Sequence, residues 1–372
     1  MDVLVVNAGS SSLKLSLLDA ADEILAATEV QHWDTEDPPP ALHSFLNALT
    51  HVDAVGHRIV HGGPKLTAAA VLDPAVRREI EAVTDLAPLH QPRALAGIDA
   101  VSALLPGVPE VACFDTAFHA GMPAAAATYA LPAVWRETFG LRRYGFHGLS
   151  HAYATRRAAQ LLGSTPERLR IVSCHLGAGA SLAAVHGGRS VDTTMGFTPL
   201  DGLVMATRSG SVDPGLVLWL EEHADMPSRE LAETLETRSG LAGLAGTADM
   251  REVLSRAAAG DERAILGRDV YLHRLRGLTA SMAAALGGLD VLVFTGGVGE
   301  NSAEIRSRAA AGLGFLGVAI DPDRNSPAEP SGGADWEITA SGAQARTFVI
   351  AAREDKQIAA EVRSLWPSVI AA

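Results

Sequence analysis

Cysteine is nearly missing from this chain: there are two in 372 residues, Cys113 and Cys174, each inside an apolar run. That usage excludes a disulfide scaffold and a cysteine-rich metal centre, and it fits buried, reduced thiols in a cytoplasmic protein. Also lacking is any run of Lys and Arg beyond pairs such as Arg142-Arg143, while 43 acidic residues outnumber 30 basic ones for a formal charge of −13. Nucleic acid and anionic membrane are therefore poor partners. No stretch of about 18 apolar residues is available to span a bilayer, and Met1 leads straight into strand-like sequence with nothing resembling a cleavable signal, so a soluble protein is expected. The G-x-x-x-x-G-K-[ST] phosphate loop is absent, and Gly177-Ala178-Gly179 lacks the third glycine of a dinucleotide fingerprint. His147 and His151 stand four apart, but no acidic third ligand follows at metal-site spacing and Gly148 weakens a helix there. Phosphate or oxyanion contact is the better functional reading of His147.

The chain does hold enough apolar material, 48% of its residues, to build two domains with sizeable cores. Its organising stretch is 171–215. An apolar strand over 171–174 breaks at Gly177 and Gly179 and resumes over 182–185, which reads as a hairpin whose turn offers backbone N–H groups to phosphate. An ordinary hairpin turn is the alternative. The amino terminus repeats the pattern: a strand over 3–7, a small polar turn of Ala8, Gly9, Ser10, Ser11 and Ser12, and a second strand over 13–19. Aligning Ala8-Gly9-Ser10-Ser11 on Ala178-Gly179-Ala180-Ser181 predicts two like-folded halves with phosphate hairpins facing a nucleotide across a cleft.

Along the chain, residues 20–50 read as connector, apart from Pro38-Pro39-Pro40 and a short helix over 41–49. A strand within 52–64 delivers Arg58, His61 and the Gly62-Gly63 turn; an arginine beside a glycine turn suggests anion binding, with a plain surface arginine as the alternative. Helices are expected from Asp73-Pro74 and over 92–105, with His90 on the loop between them. The strand over 110–114 ends in Asp115, a favoured place for catalysis in α/β proteins, though a turn-capping role is possible. Beyond a third strand over 190–194, Arg208-Ser209-Gly210 precedes a helix capped at Asp213-Pro214. Helices over 229–237, 249–258 and 262–286 lead to a strand over 290–295, which feeds a glycine loop, 296–301, with a helix behind it. That geometry presents main-chain N–H groups to a nucleotide. The tail offers strands over 336–338 and 346–350 and a helix over 354–365, with Glu354 at the junction.

Six blocks carry a family resemblance: NAGSSSLK (7–14), HRIVHGG (57–63), FDTAFH (114–119), RRYGFHGLSH (142–151), DTTMGFTPLDGLVMATRSG (192–210) and FTGGVGENS (294–302). Together they resemble the acetate kinases, the short-chain acyl kinase group. The resemblance implies a duplicated ribonuclease-H-like α/β fold, shared with actin, sugar kinases and heat-shock ATPases, in two domains with an interdomain cleft: 1–118 plus 354–372, and 119–353. It also implies phosphoryl transfer between ATP and acetate or another short-chain carboxylate, giving acetyl phosphate and ADP, with Mg²⁺ or Mn²⁺ and usually in a homodimer. Carried over residue by residue, the metal contacts fall on Asn7 and Glu354, and the proposed catalytic carboxylate on Asp115. Arg58 and Arg208 flank the acyl carboxylate and the phosphoryl group, and His147 assists. Val60, Leu89, Phe146 and Pro199 match the pocket for the methyl group. Lys14, His175, Leu176, Gly177, Ala178, Gly179, Asp249, Met250, Arg251, Gly297, Val298, Gly299, Glu300 and Asn301 match the nucleotide contacts.

The residue types suit the chemistry. A phosphoryl group in flight places charge on its equatorial oxygens and needs fixed cations around it. The attacking carboxylate is already anionic, so Asp115 is better cast as an organiser of Arg58, water or metal than as a base. The chain departs from the family pattern at Ala178, where Asn is usual, at Ser211, where Asp is usual, in the loop PLHQP, and at Arg353-Glu354-Asp355. None of these removes a candidate arginine, metal contact or Asp115. Two readings of different class remain: an active acyl kinase, for acetate or alternatively for propionate or a slightly larger acid, and a nucleotide-binding module that has lost turnover.

Overall fold

The computed structural model describes residues 1–9, 12–31, 40–88, 90–326 and 335–369, the last three by backbone only. Twelve strands lie among them: Val3–Ala8 (β1), Ser12–Leu18 (β2), Ile24–Gln31 (β3), Ala54–Ile59 (β4), Ala70–Val71 (β5), Glu110–Phe114 (β6), Arg170–Leu176 (β7), Ala180–His186 (β8), Arg189–Thr193 (β9), Val291–Thr295 (β10), Trp336–Glu337 (β11) and Arg346–Val349 (β12). The chain divides into two compact units. One contains Met1–Gly121, Phe146–Tyr153 and Arg353–Ala372; the other contains Met122–Gly145 and Ala154–Ala352. Among the described residues no helix is long and apolar enough to cross a membrane.

Each unit is built on one six-stranded sheet, and the two sheets share a topology. The orders are β3-β2-β1-β4-β6-β5 and β9-β8-β7-β10-β12-β11. In the first, β1 runs antiparallel to β2 and parallel to β4, β4 is parallel to β6, and β5 closes the edge antiparallel to β6. In the second, β7, β8, β10, β12 and β11 repeat those relations one for one. This is the duplicated ribonuclease-H-like fold. The repeat is real but its spacing differs from the sequence alignment: the Gly9 N–H bonds the Ser12 carbonyl at 2.8 Å as the Gly177 N–H bonds Gly179 at 3.0 Å. Gly9 therefore corresponds to Gly177, two residues before the position the alignment gives it. Ser10 and Ser11 lie outside the described residues.

The central strands of the first sheet are apolar on both faces because both are covered. Leu4, Val6 and Val55 pack with Leu42, Leu46 and Val101 on one side. On the other, Val3, Val5, Ala54, Val111 and Cys113 pack under the helix Glu354–Val369 through Ile358, Ala359 and Val362. That helix comes so close that a Cβ on Gly56 would stand 2.5 Å from Ile358 Cγ2, so only glycine fits there.

Several local expectations need correction. Residues 24–31, read as connector, form the edge strand β3; only Val30 of its eight residues is buried, so its apolar signal is faint. Gly148 does not weaken a helix but opens one, Gly148–Leu161, because a Cβ there would lie 2.1 Å from the Asp115 carbonyl oxygen. The glycine loop after β10 is itself a helical turn, Gly296–Asn301, entered by Gly296 at φ +77°.

Two buried imidazoles give the fold a pH dependence. Burial pushes the pKa of His61 down to about 4. Burial does the same for His119, to about 4, against a smaller opposing effect of the Phe146 carbonyl. In the unfolded chain a histidine titrates near 6.5, so between roughly pH 6.5 and 4 the unfolded state binds protons that the folded state refuses. Stability should therefore be full above pH 6.5 and fall as pH drops through that window, by up to ~3 kcal/mol for each ring. Melting temperatures measured from pH 7.5 to 5 should decline, with a shallower decline in His61→Gln. A flat profile in the wild type would contradict neutral buried rings.

Candidate active site

Strand alternation decides which side chains meet in the first unit. Val3, Val5 and Asn7 share one face of β1; Ala54, Gly56 and Arg58 share that face of β4; Val111 and Cys113 of β6 lead on to Asp115. The register places Val5 opposite Gly56 and Arg58 opposite Cys113. The apolar members lie under the helix Glu354–Val369, so the polar ones emerge together at the carboxyl ends of three parallel strands, beside that helix's first residue, Glu354.

Arg58 is the hub. Its Nε and Nη2 donate to Asp115 Oδ2 at 3.2 and 2.7 Å, and its Nη1 donates to Asn7 Oδ1 at 3.2 Å. Nη1 also lies 3.1 Å from Glu354 Oε2, which accepts from Asn7 Nδ2 at 3.1 Å and so closes a ring. Asp115 is 1% exposed. Its pKa is pushed up to about 6, because burial and the Glu354 charge outweigh the attraction of Arg58. Burial alone lowers the pKa of Arg58, but the Asp115 and Glu354 charges more than reverse this and keep the guanidinium protonated. One cation against two carboxylates leaves an oxygen-rich set with excess negative charge.

That set suits a divalent ion of the magnesium kind, which uses one or two carboxylates and fills its other positions with water and ligand oxygens. A thiolate- or imidazole-held site of the zinc kind is a poorer match, since among the described residues no group of three His, Cys, Asp or Glu could hold a metal ion.

His147 stands next to this ring at φ +56°, uncommon for a residue other than glycine. The Gly148 N–H bonds the Asp115 carbonyl at 2.9 Å, and the His147 carbonyl accepts from the His151 N–H at 3.0 Å. Of the expected methyl pocket, Val60 and Phe146 are buried in this unit, and the Phe146 ring meets His61 edge-on at 5.4 Å. Leu89 lies outside the described residues. Lys14 is on β2, mostly exposed, with its ammonium 3.7 Å from Glu29.

The second unit contains a cavity of about 570 Å³. Gly177, Ala178, Asp249, Met250, Arg251, Gly297, Val298 and Asn301 line it, as do Ala206, Leu241, Ala248, Leu254, Tyr271 and Ser302. The first group was legible in the sequence; Leu241, Leu254 and Tyr271 come from helices whose apolar residues look like ordinary core. His175, Leu176, Gly179, Gly299 and Glu300 are not among the lining residues. Leu176 is core, and its backbone would stand 3.0 Å from a Cβ on Gly296. The Glu300 carboxylate accepts from the Gly296 N–H at 2.8 Å and the Ala352 N–H at 2.9 Å, which fixes the start of the turn. Arg306, which the sequence gave no reason to single out, fixes its end: Nη1 donates to the Gly299 and Glu300 carbonyls at 2.8 Å each, and Nε and Nη2 to Asn325 at 2.7 Å. A cation at carbonyls that end a helical turn is well placed.

Arg208 donates to the Pro199 carbonyl at 3.2 Å. Burial pushes its pKa down, with only the Glu236 charge opposing, so this guanidinium would gain from an incoming anion. Ser211, one of the departures from the family pattern expected from the resemblance, donates to Asp201 Oδ1 at 2.5 Å and accepts from the Gly202 N–H at 3.0 Å.

A duplicated ribonuclease-H-like chain with an arginine and carboxylates gathered at the strand ends of one copy, and a cavity bordered by Gly177 and Gly297 in the other, has the features of a phosphotransferase. The chain belongs to the acetokinase family, whose model matches residues 40–360. It is 43% identical over 388 residues to the acetate kinase of Shouchella clausii (strain KSM-K16), across 96% of this chain and 97% of that one. The crystal structure of Porphyromonas gingivalis acetate kinase superposes with a TM-score of 0.90 at 36% identity, covering 98% and 99% of the two chains. A propionate kinase from Francisella tularensis subsp. tularensis SCHU S4 does so with 0.88 at 36% identity, covering 97% and 98%.

Proposed function

We propose that this protein transfers the terminal phosphoryl group of ATP to acetate, reversibly, giving acetyl phosphate and ADP. The observation that carries the reading is the convergence of Asn7, Arg58, Asp115 and Glu354 in a chain of this family. A carboxylate oxygen of acetate attacks the γ-phosphorus in line, the bond to the β-phosphate oxygen breaks, and ADP leaves with the electron pair. No proton need be removed from the nucleophile, so Asp115 and Glu354 act by aiming Arg58. Arg58 and Arg208 are assigned to the anionic oxygens, and His147 to a supporting hydrogen bond. A magnesium or manganese ion carried with the nucleotide supplies neutralising charge for the phosphates, and Asn7 and Glu354 would hold it. The nucleoside is assigned to the cavity walled by Ala178, Met250 and Val298. A cytoplasmic location accords with the two buried free thiols, Cys113 and Cys174.

A homodimer is part of the same proposal. The helices Ala133–Phe139 and Pro214–His223 have no buried residue, and Val134, Trp135, Phe139, Leu218 and Trp219 are each more than half exposed. Apolar surface of this kind favours a second copy of the chain. Sedimentation should find a dimer that Trp219→Glu weakens; a wild-type monomer at micromolar concentration would remove this part.

The enzymatic claim is tested by coupled ADP release with acetate, propionate and butyrate as acceptors and with ATP, GTP and pyrophosphate as donors. Acetate with ATP should give the highest kcat/KM. A strong preference for propionate would place the chain with the propionate kinases, and no ADP release with any acid would leave a nucleotide-binding module. Ala178 supplies no side-chain donor at the cavity wall. Ala178→Asn should therefore raise kcat/KM for ATP by about tenfold, the lower end of what one charge-assisted hydrogen bond contributes. A loss of ATP activity in that variant, with a wild type that prefers pyrophosphate, would refute the assignment of the donor.

A further inference from the structure

The segment that carries His147 is laid directly on the segment that carries Asp115, and it is fastened on both sides of His147. On the carboxyl side of His147, the Gly148 N–H bonds the Asp115 carbonyl at 2.9 Å. On the amino side, the Phe146 carbonyl lies 3.1 Å from Nε2 of His119. A carbonyl can only accept, so Nε2 carries the proton and donates. Between the two fastenings His147 is held at φ +56°, in the left-handed region that a non-glycine residue occupies only when its surroundings enforce it.

His119 is suited to hold such a bond. It ends the single helical turn Ala117–His119, its N–H bonds the Thr116 carbonyl at 3.1 Å, and its ring is wholly buried. The rings of Phe118 and His151 meet it edge-on at 5.5 and 5.8 Å, which fixes its plane. Burial lowers its pKa, so the ring stays neutral through the working range and its one N–H is always available to the carbonyl.

We infer that His119 is a positioning residue: by donating from Nε2 to the Phe146 carbonyl it holds the His147 backbone in its left-handed conformation and so aims the His147 side chain. This rests on the reading of His147 given above. Phe146, assigned to the acyl pocket, is held by the same bond. A misplacement on the order of 1 Å at a reacting centre costs up to about 100-fold in rate, so one such bond matters for turnover without touching substrate.

The test is a kinetic cycle with isosteric variants. The amide nitrogen of Gln reaches the place of Nε2, whereas that of Asn falls where Nδ1 was. His119→Gln should keep kcat within about threefold of wild type, and His119→Asn should lower it by about tenfold or more with little change in the KM for ATP. In a His147→Ala background, His119→Asn should lower kcat far less than in the wild type, because two residues acting through one position are not additive, and what remains reports Phe146 held by the same bond. Losses that add fully across the cycle, or a Gln variant as slow as the Asn variant at equal melting temperature, would overturn the role of His119. A His147→Ala enzyme with wild-type kcat would instead remove His147 from the chemistry, and His119 with it.

Discussion

A guanidinium buried beside two carboxylates is tolerable only when every partner is held in place, since losing one strands a charge in a dry setting. Arg58, 16% exposed between a buried Asp115 and a partly buried Glu354, is close to that position, and much of the first unit can be read as what keeps its partners there. The parallel registers of β1, β4 and β6 bring Asn7 and Asp115 to its flanks. Gly56 lets the helix Glu354–Val369 lie against the sheet, which delivers Glu354 to the same point. Two acidic residues, Glu354 and Asp355, occupy that helix's first turn, where the unpaired N–H groups favour negative charge. The core and the candidate site are thus one construction: the face that buries Val3, Val5, Val111 and Cys113 ends in Asn7, Arg58 and Asp115, the side chains proposed for the chemistry.

The second unit uses the same topology for a different purpose. Where the first sheet ends in charged side chains, the ends of β7 and β10 in the second carry glycines, and a roomy cavity opens beside them. Its stiffness comes from groups that never face it. The Glu300 carboxylate holds the start of the turn Gly296–Asn301, and the buried Arg306 holds its end by two hydrogen bonds while two more anchor the guanidinium to Asn325. Duplication thus gave one sheet for charge and one for shape, consistent with a reaction whose two substrates are a small anion and a nucleotide.

Much of this was legible in the sequence, for a physical reason. Arg58 and Asp115 each extend an i, i+2 series in a strand buried on both faces, so the alternation that defines the strand also aims its last side chain, whereas Asn7 and Glu354 entered through the family resemblance. Strand 110–114 matches β6 residue for residue. What escaped depended on tertiary contact. Gly148 looked like a helix breaker because the Asp115 carbonyl that excludes a Cβ is 33 positions away in sequence. β3 carries its pattern at an edge where only Val30 is buried. Tyr271 and Leu254 sit in helices where nothing local separates a cavity wall from core, and Arg306 acts through carbonyls, which leave no trace in residue type.

The central claim is that the oxygen set around Arg58 is built for a divalent cation that arrives with nucleotide. Mn²⁺ binding followed by electron paramagnetic resonance in the presence of ADP, in the wild type and in Asn7→Ala and Glu354→Gln, tests it most directly without relying on turnover. The account predicts a single tight Mn²⁺ site in the wild type that weakens by at least about tenfold in both variants, while ADP alone still binds. Equal Mn²⁺ affinity in all three proteins would contradict it.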